Sequence, residues 1–339
     1  MDFMSHAGSH MGLDLPPYDR HALVHTWAFQ PGWLLAGLVL LGGYLYLARR
    51  AATNGRPLPG WRIGCWVFGV VLLELTLASA IDAYAMALFW MHMVEHLMLI
   101  MVVPIFLVLG HPITLIRNAL PAERGERFEA LVKSRTIGFL TDPLVGLVVY
   151  GTVIIATHLT GFMDQMAMHA WLMTFEQILY LIAGYWLLLP LLGHEPLRWD
   201  VPYMLRLALV LIAMVPDTVV GLVLLQTNDD PFPVMLGMHP AWAPSPVHDA
   251  NIAGGLMWAA GDGLMMCIGI AVLVAMISDR DASRRNFGDW LEGARRQTMV
   301  DHVNRTDQAG DDQMADDIDP DGDDALAAYN RMLGRLNNE

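Results

Sequence analysis

Lysine is almost missing from this chain: Lys133 is the one lysine in 339 residues. Charged residues of all kinds make up 16%, against about a quarter in ordinary soluble domains. That scarcity argues against a soluble cytoplasmic enzyme. Basic residues number 20 and acidic residues 34, a net charge of −14. Nucleic acid is excluded as a partner, because neutralising phosphates takes clustered Lys and Arg. Cysteine is as scarce. Cys65 and Cys267 both lie in apolar blocks, so neither a disulfide framework nor a CxxC motif is available. No internal repeat is visible.

Apolar residues supply 55% of the chain, and its mean hydropathy is +0.41. They fall in blocks long enough to cross a bilayer, about 20 residues each. Apolar runs between turn signals predict seven helical spans, at roughly 28–48, 62–81, 86–110, 143–160, 168–193, 203–226 and 250–278. The first is expected to remain as a span, since no basic n-region precedes it and no small-residue cleavage site follows. The expected fold is all-α: a polytopic bundle of seven transmembrane helices, in contact with membrane lipids over residues 28–278.

Loop charge predicts the orientation. Arg49, Arg50, Arg56 and Arg62 follow the first span, and Arg117, Arg124, Arg127, Lys133 and Arg135 follow the third. Arg198 follows the fifth, and Arg280, Arg284 and Arg285 follow the last. The alternate segments 82–85, 161–167 and 227–249 hold no Lys or Arg, and the stretch before the first span holds only Arg20. The positive-inside rule then puts the N-terminus outside and the C-terminus in the cytoplasm. The tail, 279–339, differs in composition. From residue 300 it carries eleven acidic and three basic residues, too little apolar surface to fold alone. Near its end Leu326, Tyr329, Leu333 and Leu336 predict a short helix within 324–336. Asp317, Asp319, Asp321 and Gly322 imitate the start of a calcium loop, but Ala328 stands where the bidentate Glu belongs. A solvated acidic tail is the better reading.

Charged groups inside a bilayer are costly and mark function by default. The second span carries Glu74, ending at Asp82; the third carries His92, Glu95 and His96; His158 closes the fourth. His169 and Glu176 open the fifth, with Asp217 in the sixth and Asp262 in the seventh. Nearly all fall in the outer half of the predicted bundle, and no Lys or Arg stands near enough in sequence to pair them. Protons or a cation must neutralise the carboxylates. His92 and His96, four apart, project from one helical face and suit two ligands of one metal ion. They do not suit the two axial ligands of one haem. With the span starting at 86, His92 lies about two turns deep and His96 about three. The same five residues read H-x-x-E-H, the inverted zinc-peptidase pattern. That pattern is short here and sits inside an apolar span.

Methionines Met86, Met91, Met93, Met98, Met101, Met163, Met166, Met168 and Met173 crowd the outer ends of the third to fifth spans. Thioether with imidazole favours Cu(I) over Mg or Ca, although Met is also a flexible apolar filler. Before the first span, in segment 1–27, Met1, Met4, His6, His10 and Met11 offer a copper-capture arm. His169 and His158 are further candidate ligands. Glu95, Glu176, Asp217, Asp262 and Glu74 are candidates for orienting imidazoles or neutralising the ion.

These residues carry a resemblance. His92-Met-Val-Glu-His96, followed by Pro104 and Gly110-His-Pro112, resembles a signature of the CtaG-type cytochrome c oxidase assembly family. His158-Leu-Thr-Gly-Phe-Met-Asp164 with His169-Ala-Trp-Leu-Met-Thr-Phe-Glu176 resembles its second, and Gly254-Gly-Leu-Met-Trp258 with Gly261-Asp262 its third. The opening Met-Asp-Phe-Met-Ser-His, Asp14-Leu-Pro-Pro17 and the late Ala-Ala-Tyr-Asn are similar to actinobacterial members. The likeness covers about residues 14–280. Glu95 stands where the family is expected to place a neutral polar residue, and Gln177 where it usually places a second histidine. The resemblance implies a non-enzymatic factor that supplies copper to cytochrome c oxidase subunits at the outer face of a bacterial plasma membrane. The alternatives are a copper or proton transporter and a b-type cytochrome. The near absence of polar residues from the cytoplasmic half disfavours transport.

Overall fold

Among the described residues of the computed structural model every element is helical, as backbone groups inside a bilayer favour. The structure describes residues 15–278, apart from 20, 22–24, 29, 194, 237 and 238. The Met/His segment Met1–Met11 and the acidic tail, with its calcium-like run and its 324–336 helix, therefore lie outside the described residues. In chain order the helices are α1 (Pro31–Thr53), α2 (Gly60–Ala78), α3 (Ala80–Ala85) and α4 (Phe89–Leu97). A π-helical turn, Met98–Val102, leads into α5 (Val103–Leu109). Next come α6 (Pro112–Ala119), α7 (Ala122–Val132), α8 (Arg135–Leu140), α9 (Pro143–His158) and α10 (Phe162–Met168). The last four are α11 (Ala170–Leu192), α12 (Tyr203–Leu225), α13 (Pro233–Leu236) and α14 (Pro246–Ser278). One compact unit, Met1–Leu273, holds all of these but the end of α14; of the second, Val274–Glu339, only 274–278 are described.

Local chemistry sets many of the helix ends. Pro31, Pro112 and Pro143 occupy first turns, where no N–H is needed. Asp142 accepts from Leu144 N at 2.9 Å to cap α9, and Ser79 accepts from Ile81 N at 3.2 Å to cap α3. Past α1, Gly55 turns left-handed at φ +72, a conformation that suits glycine.

Among the described residues, six helices are long and apolar enough to span a membrane: α1, α2, the run Phe89–Ala119, α11, α12 and α14. The predicted fourth span, 143–160, is α9; it is short for a crossing, and it is long and apolar enough only together with α10, to which it is bent by 68°. The Thr160 hydroxyl turns back to Ala156 O at 2.6 Å and receives Phe162 N at 3.2 Å, ending one helix and starting the next. The third span starts at Phe89 rather than 86, so His92 lies one turn from its beginning and His96 two. Exposure runs opposite to that of a soluble protein. Leu38, Val148, Leu211, Val215 and Ile270 face outward, while Asp82, His92, Glu95, His96, His158, Glu176, Gln177 and Asp217 are buried. The chain is a multi-pass membrane protein.

The third span and α11 are brought together by a break in helical geometry. Pro104 cannot donate to Ile100, and its ring crowds that carbonyl. The backbone widens into the π turn there. The freed Ile100 O leans on Gly184, where a Cβ would lie 1.8 Å from it. Only glycine permits that approach. Ile100 is eight residues past His92, and Gly184 is eight past Glu176, so each contact stripe repeats every four residues along its helix.

Candidate metal centre

Along those stripes the partners meet in register. His92 faces Glu176, the His96 ring stacks on Tyr180 with centroids 3.9 Å apart, and Ile100 meets Gly184. His92 Nε2 and His96 Nε2 each lie 3.4 Å from Glu176 Oε2. Ligand atoms from all three residues fall within 4.8 Å of one another, and all three residues are buried. Both nitrogens of His92, both of His96, and Glu176 Oε1 have no hydrogen-bond partner. Buried polar atoms left this way are rare and costly. Two donors bonded at about 2.0–2.1 Å to one tetrahedral or trigonal ion lie about 3.3–3.6 Å apart. The 3.4 Å separations match that geometry.

His158, at the end of α9, sits beside the tripod with its ring centroid 5.1 Å from that of His96. Its Nδ1 lies 3.0 Å from Ile154 O, 3.0 Å from Thr157 Oγ1 and 3.2 Å from Tyr180 OH; the carbonyl can only accept, and the Nδ1-protonated tautomer satisfies it. The lone pair is then on Nε2, which is buried and unpartnered. Metal-bound histidines are commonly held through a backbone carbonyl in this way.

Other candidates stand elsewhere. His169 is exposed at the start of α11, bonded through Nδ1 to Gln165 O at 3.1 Å, and does not join the cluster. Asp217 accepts from Tyr150 OH at 2.6 Å and Asp262 from Thr218 Oγ1 at 2.8 Å; these bonds hold hydroxyls rather than an imidazole. Glu74 packs against Gly37, where a Cβ would lie 1.9 Å from its carboxylate. It lines an apolar cleft between α1 and α2 rather than the tripod. Among the methionines, Met93, Met101, Met163 and Met166 fill the apolar core, Met91 packs with Tyr84 and Leu88, and Met168 is exposed. Filler is the role the buried ones show.

Sequence reasoning passed over two contributors. Along the chain Asp82 stands out only as the end of a span, and Gln177 only as a departure from a family pattern. Gln177 Nε2 in fact donates to Glu95 Oε1 at 2.6 Å and to Asp82 Oδ1 at 3.0 Å. Burial pushes the Asp82 carboxyl up to about 6, against the opposing pull of the Gln30 and Gln177 amides. The signal available beforehand was a carboxylate at a span end with no nearby base.

Residues 42–279 match the model of the cytochrome c oxidase caa3 assembly factor family (Caa3_CtaG). The chain belongs to this family. The resemblance carried by the His92–His96 and His158–Glu176 motifs is thereby met. The chain is also 28% identical, over 347 aligned positions, to uncharacterized proteins of Mycobacterium bovis and Mycobacterium tuberculosis. It is 27% identical over 335 positions to one of Mycobacterium leprae. These alignments take in 96–98% of this chain but 47–49% of the relatives. The chain thus spans about half the length of the curated relatives it matches. No solved structure matches it.

Proposed function

We propose that this protein holds one copper ion, as Cu(I), on His92, His96 and Glu176 and hands it to a cytochrome c oxidase subunit during assembly. The observation that carries the reading is the convergence of two imidazoles and one carboxylate, all buried and otherwise unpartnered. Charge supports the monovalent ion. One Cu(I) with one carboxylate is neutral, as a low-dielectric interior demands, whereas a divalent ion on the same three ligands leaves a net positive charge. Imidazole nitrogens suit copper. Family membership supplies the oxidase as recipient. The loop-charge orientation puts the tripod at the outer face of a bacterial plasma membrane.

The protein acts without turnover chemistry. His92 and His96 bind, Glu176 neutralises, and His158 offers a fourth donor as the ion leaves, so release is a sequence of ligand exchanges. A b-type cytochrome would pair His92 or His96 with a histidine of another span; the His158 ring lies 5.1 Å from that of His96 and edge-on to it, too close for a haem plane between them, which counts against that reading. The test is elemental analysis of detergent-purified protein loaded anaerobically with Cu(I). Wild type should carry one copper per chain, and His92→Ala and Glu176→Gln should carry little. Copper absent from wild type, or unchanged in both variants, overturns the reading.

A further inference from the structure

Next to the tripod is a second pair of acids that the metal reading leaves unused. Asp82 in α3 and Glu95 in α4 share the side-chain amide of Gln177. Trp33 decides which way that amide faces. Its indole can only donate, and it donates to Gln177 Oε1 at 3.2 Å. Both amide hydrogens are therefore committed to the two carboxylates. Gln30 adds a donor to Asp82 Oδ2 at 2.6 Å. Glu95 Oε2 is nevertheless buried with no partner, on a side chain 1% exposed. The ion pairs Arg117–Glu129, Arg127–Glu123 and Lys133–Glu129 lie elsewhere. Glu95 adjoins His96, and Gln177 adjoins Glu176. Acids thus run from the corner helix α3 through Glu95 to the tripod.

We propose that Asp82 and Glu95, held by Gln177, form a transit station for a soft monovalent cation on its way to His92, His96 and Glu176. The inference rests on the tripod being a metal site. A cation leaving water for a low-dielectric interior needs a counter-charge at each step. Carboxylate oxygens are hard donors that hold a soft ion weakly, so the ion pauses there and the imidazoles take it at equilibrium. Only metal–ligand bonds are made and broken, and no electron is transferred.

A station changes the rate of loading and not its end-point. Cu(I) supplied as its coloured bicinchoninate complex to the detergent-solubilised full chain reports both, as the colour is lost. Asp82→Asn should reach the wild-type copper-to-protein ratio about tenfold or more slowly, the lower range of what a one-sign charged path adds to an on-rate. Asp82→Glu, which keeps the carboxylate, should recover most of the rate. Glu95→Gln, which keeps the bond from Gln177 to Oε1, should slow loading likewise and carries the test if Asp82→Asn does not fold. Wild-type rates in the carboxamide variants overturn the station. So does a loss of end-point occupancy alongside rate, which would make these acids part of the metal site. A wild type that takes up no copper overturns the tripod reading itself, and the station with it.

Discussion

Where α5 passes into α6, Glu195 accepts from Ile113 N at 3.0 Å, Thr114 N at 2.8 Å and the Thr114 hydroxyl at 2.5 Å, beside the buried His111. Nearby Tyr44 OH donates to Gly110 O at 2.6 Å, and Arg206 donates to Val201 O and Leu191 O. Around the other end of the same span, seven atoms of His92, Glu95, His96, His158 and Glu176 have no hydrogen-bond partner. Both ends bury histidine with glutamate. At the first, nearly every polar atom is spent on the backbone, with Arg62 Nε the exception, and His111 at φ +49 shapes a turn. At the second the polar atoms are aimed at each other and left open. A satisfied buried network stabilises a fold, whereas an open one is costly until something fills it.

The largest test of that contrast is removal of a tripod ligand. His96→Ala should weaken Cu(I) binding by at least about 100-fold, since deleting even an outer-shell partner costs about 10–100-fold. Competition against a chelator of known affinity measures it, and thermal unfolding should change little by comparison. Glu195→Ala should do the reverse. Two part-buried N–H groups and a hydroxyl lose their acceptor, so stability should fall by about 1–2 kcal/mol with copper affinity unchanged. Equal effects of both variants on copper would erase the distinction between the ends. His158→Ala should be milder, weakening Cu(I) by no more than about tenfold and leaving the two nitrogen neighbours in the copper X-ray absorption spectrum in place.

The smallest effect belongs to the exposed helix α7, where Lys133 Nζ reaches Glu129 Oε1 at 2.6 Å. Lys133→Ala should cost less than about 0.5 kcal/mol, as exposed pairs do. The hydrogen bond from Lys133 holds the Glu129 carboxyl below its usual range. That contribution is present above the unfolded pKa and lost as pH falls through the folded one. A pH series of wild type against Lys133→Ala should converge in acid, and high salt should shrink the gap. A difference that persists in acid would show that Lys133 acts by packing.

Helical spans follow from the sequence alone, because an apolar run inside a bilayer must satisfy its own backbone. The four-residue spacing of His92 and His96 likewise determined that two imidazoles share a face. Which carboxylate meets them was not legible. Glu176, Asp217 and Asp262 were equal candidates along the chain, since local spacing says nothing about how one helix is rotated against another. That rotation is decided where Pro104 frees Ile100 O and Gly184 admits it. The contact turns the Glu176–Tyr180–Gly184 stripe of α11 toward the histidines. The same turn leaves His169, seven residues before Glu176, at the surface. The 68° bend after His158 comes from Thr160 bonding both helices, a hydroxyl that hydropathy could not distinguish from filler. Sequence set the periodicity of each helix. Tertiary packing set the phase between them, because a contact as short as glycine on a carbonyl exists only once two helices have met.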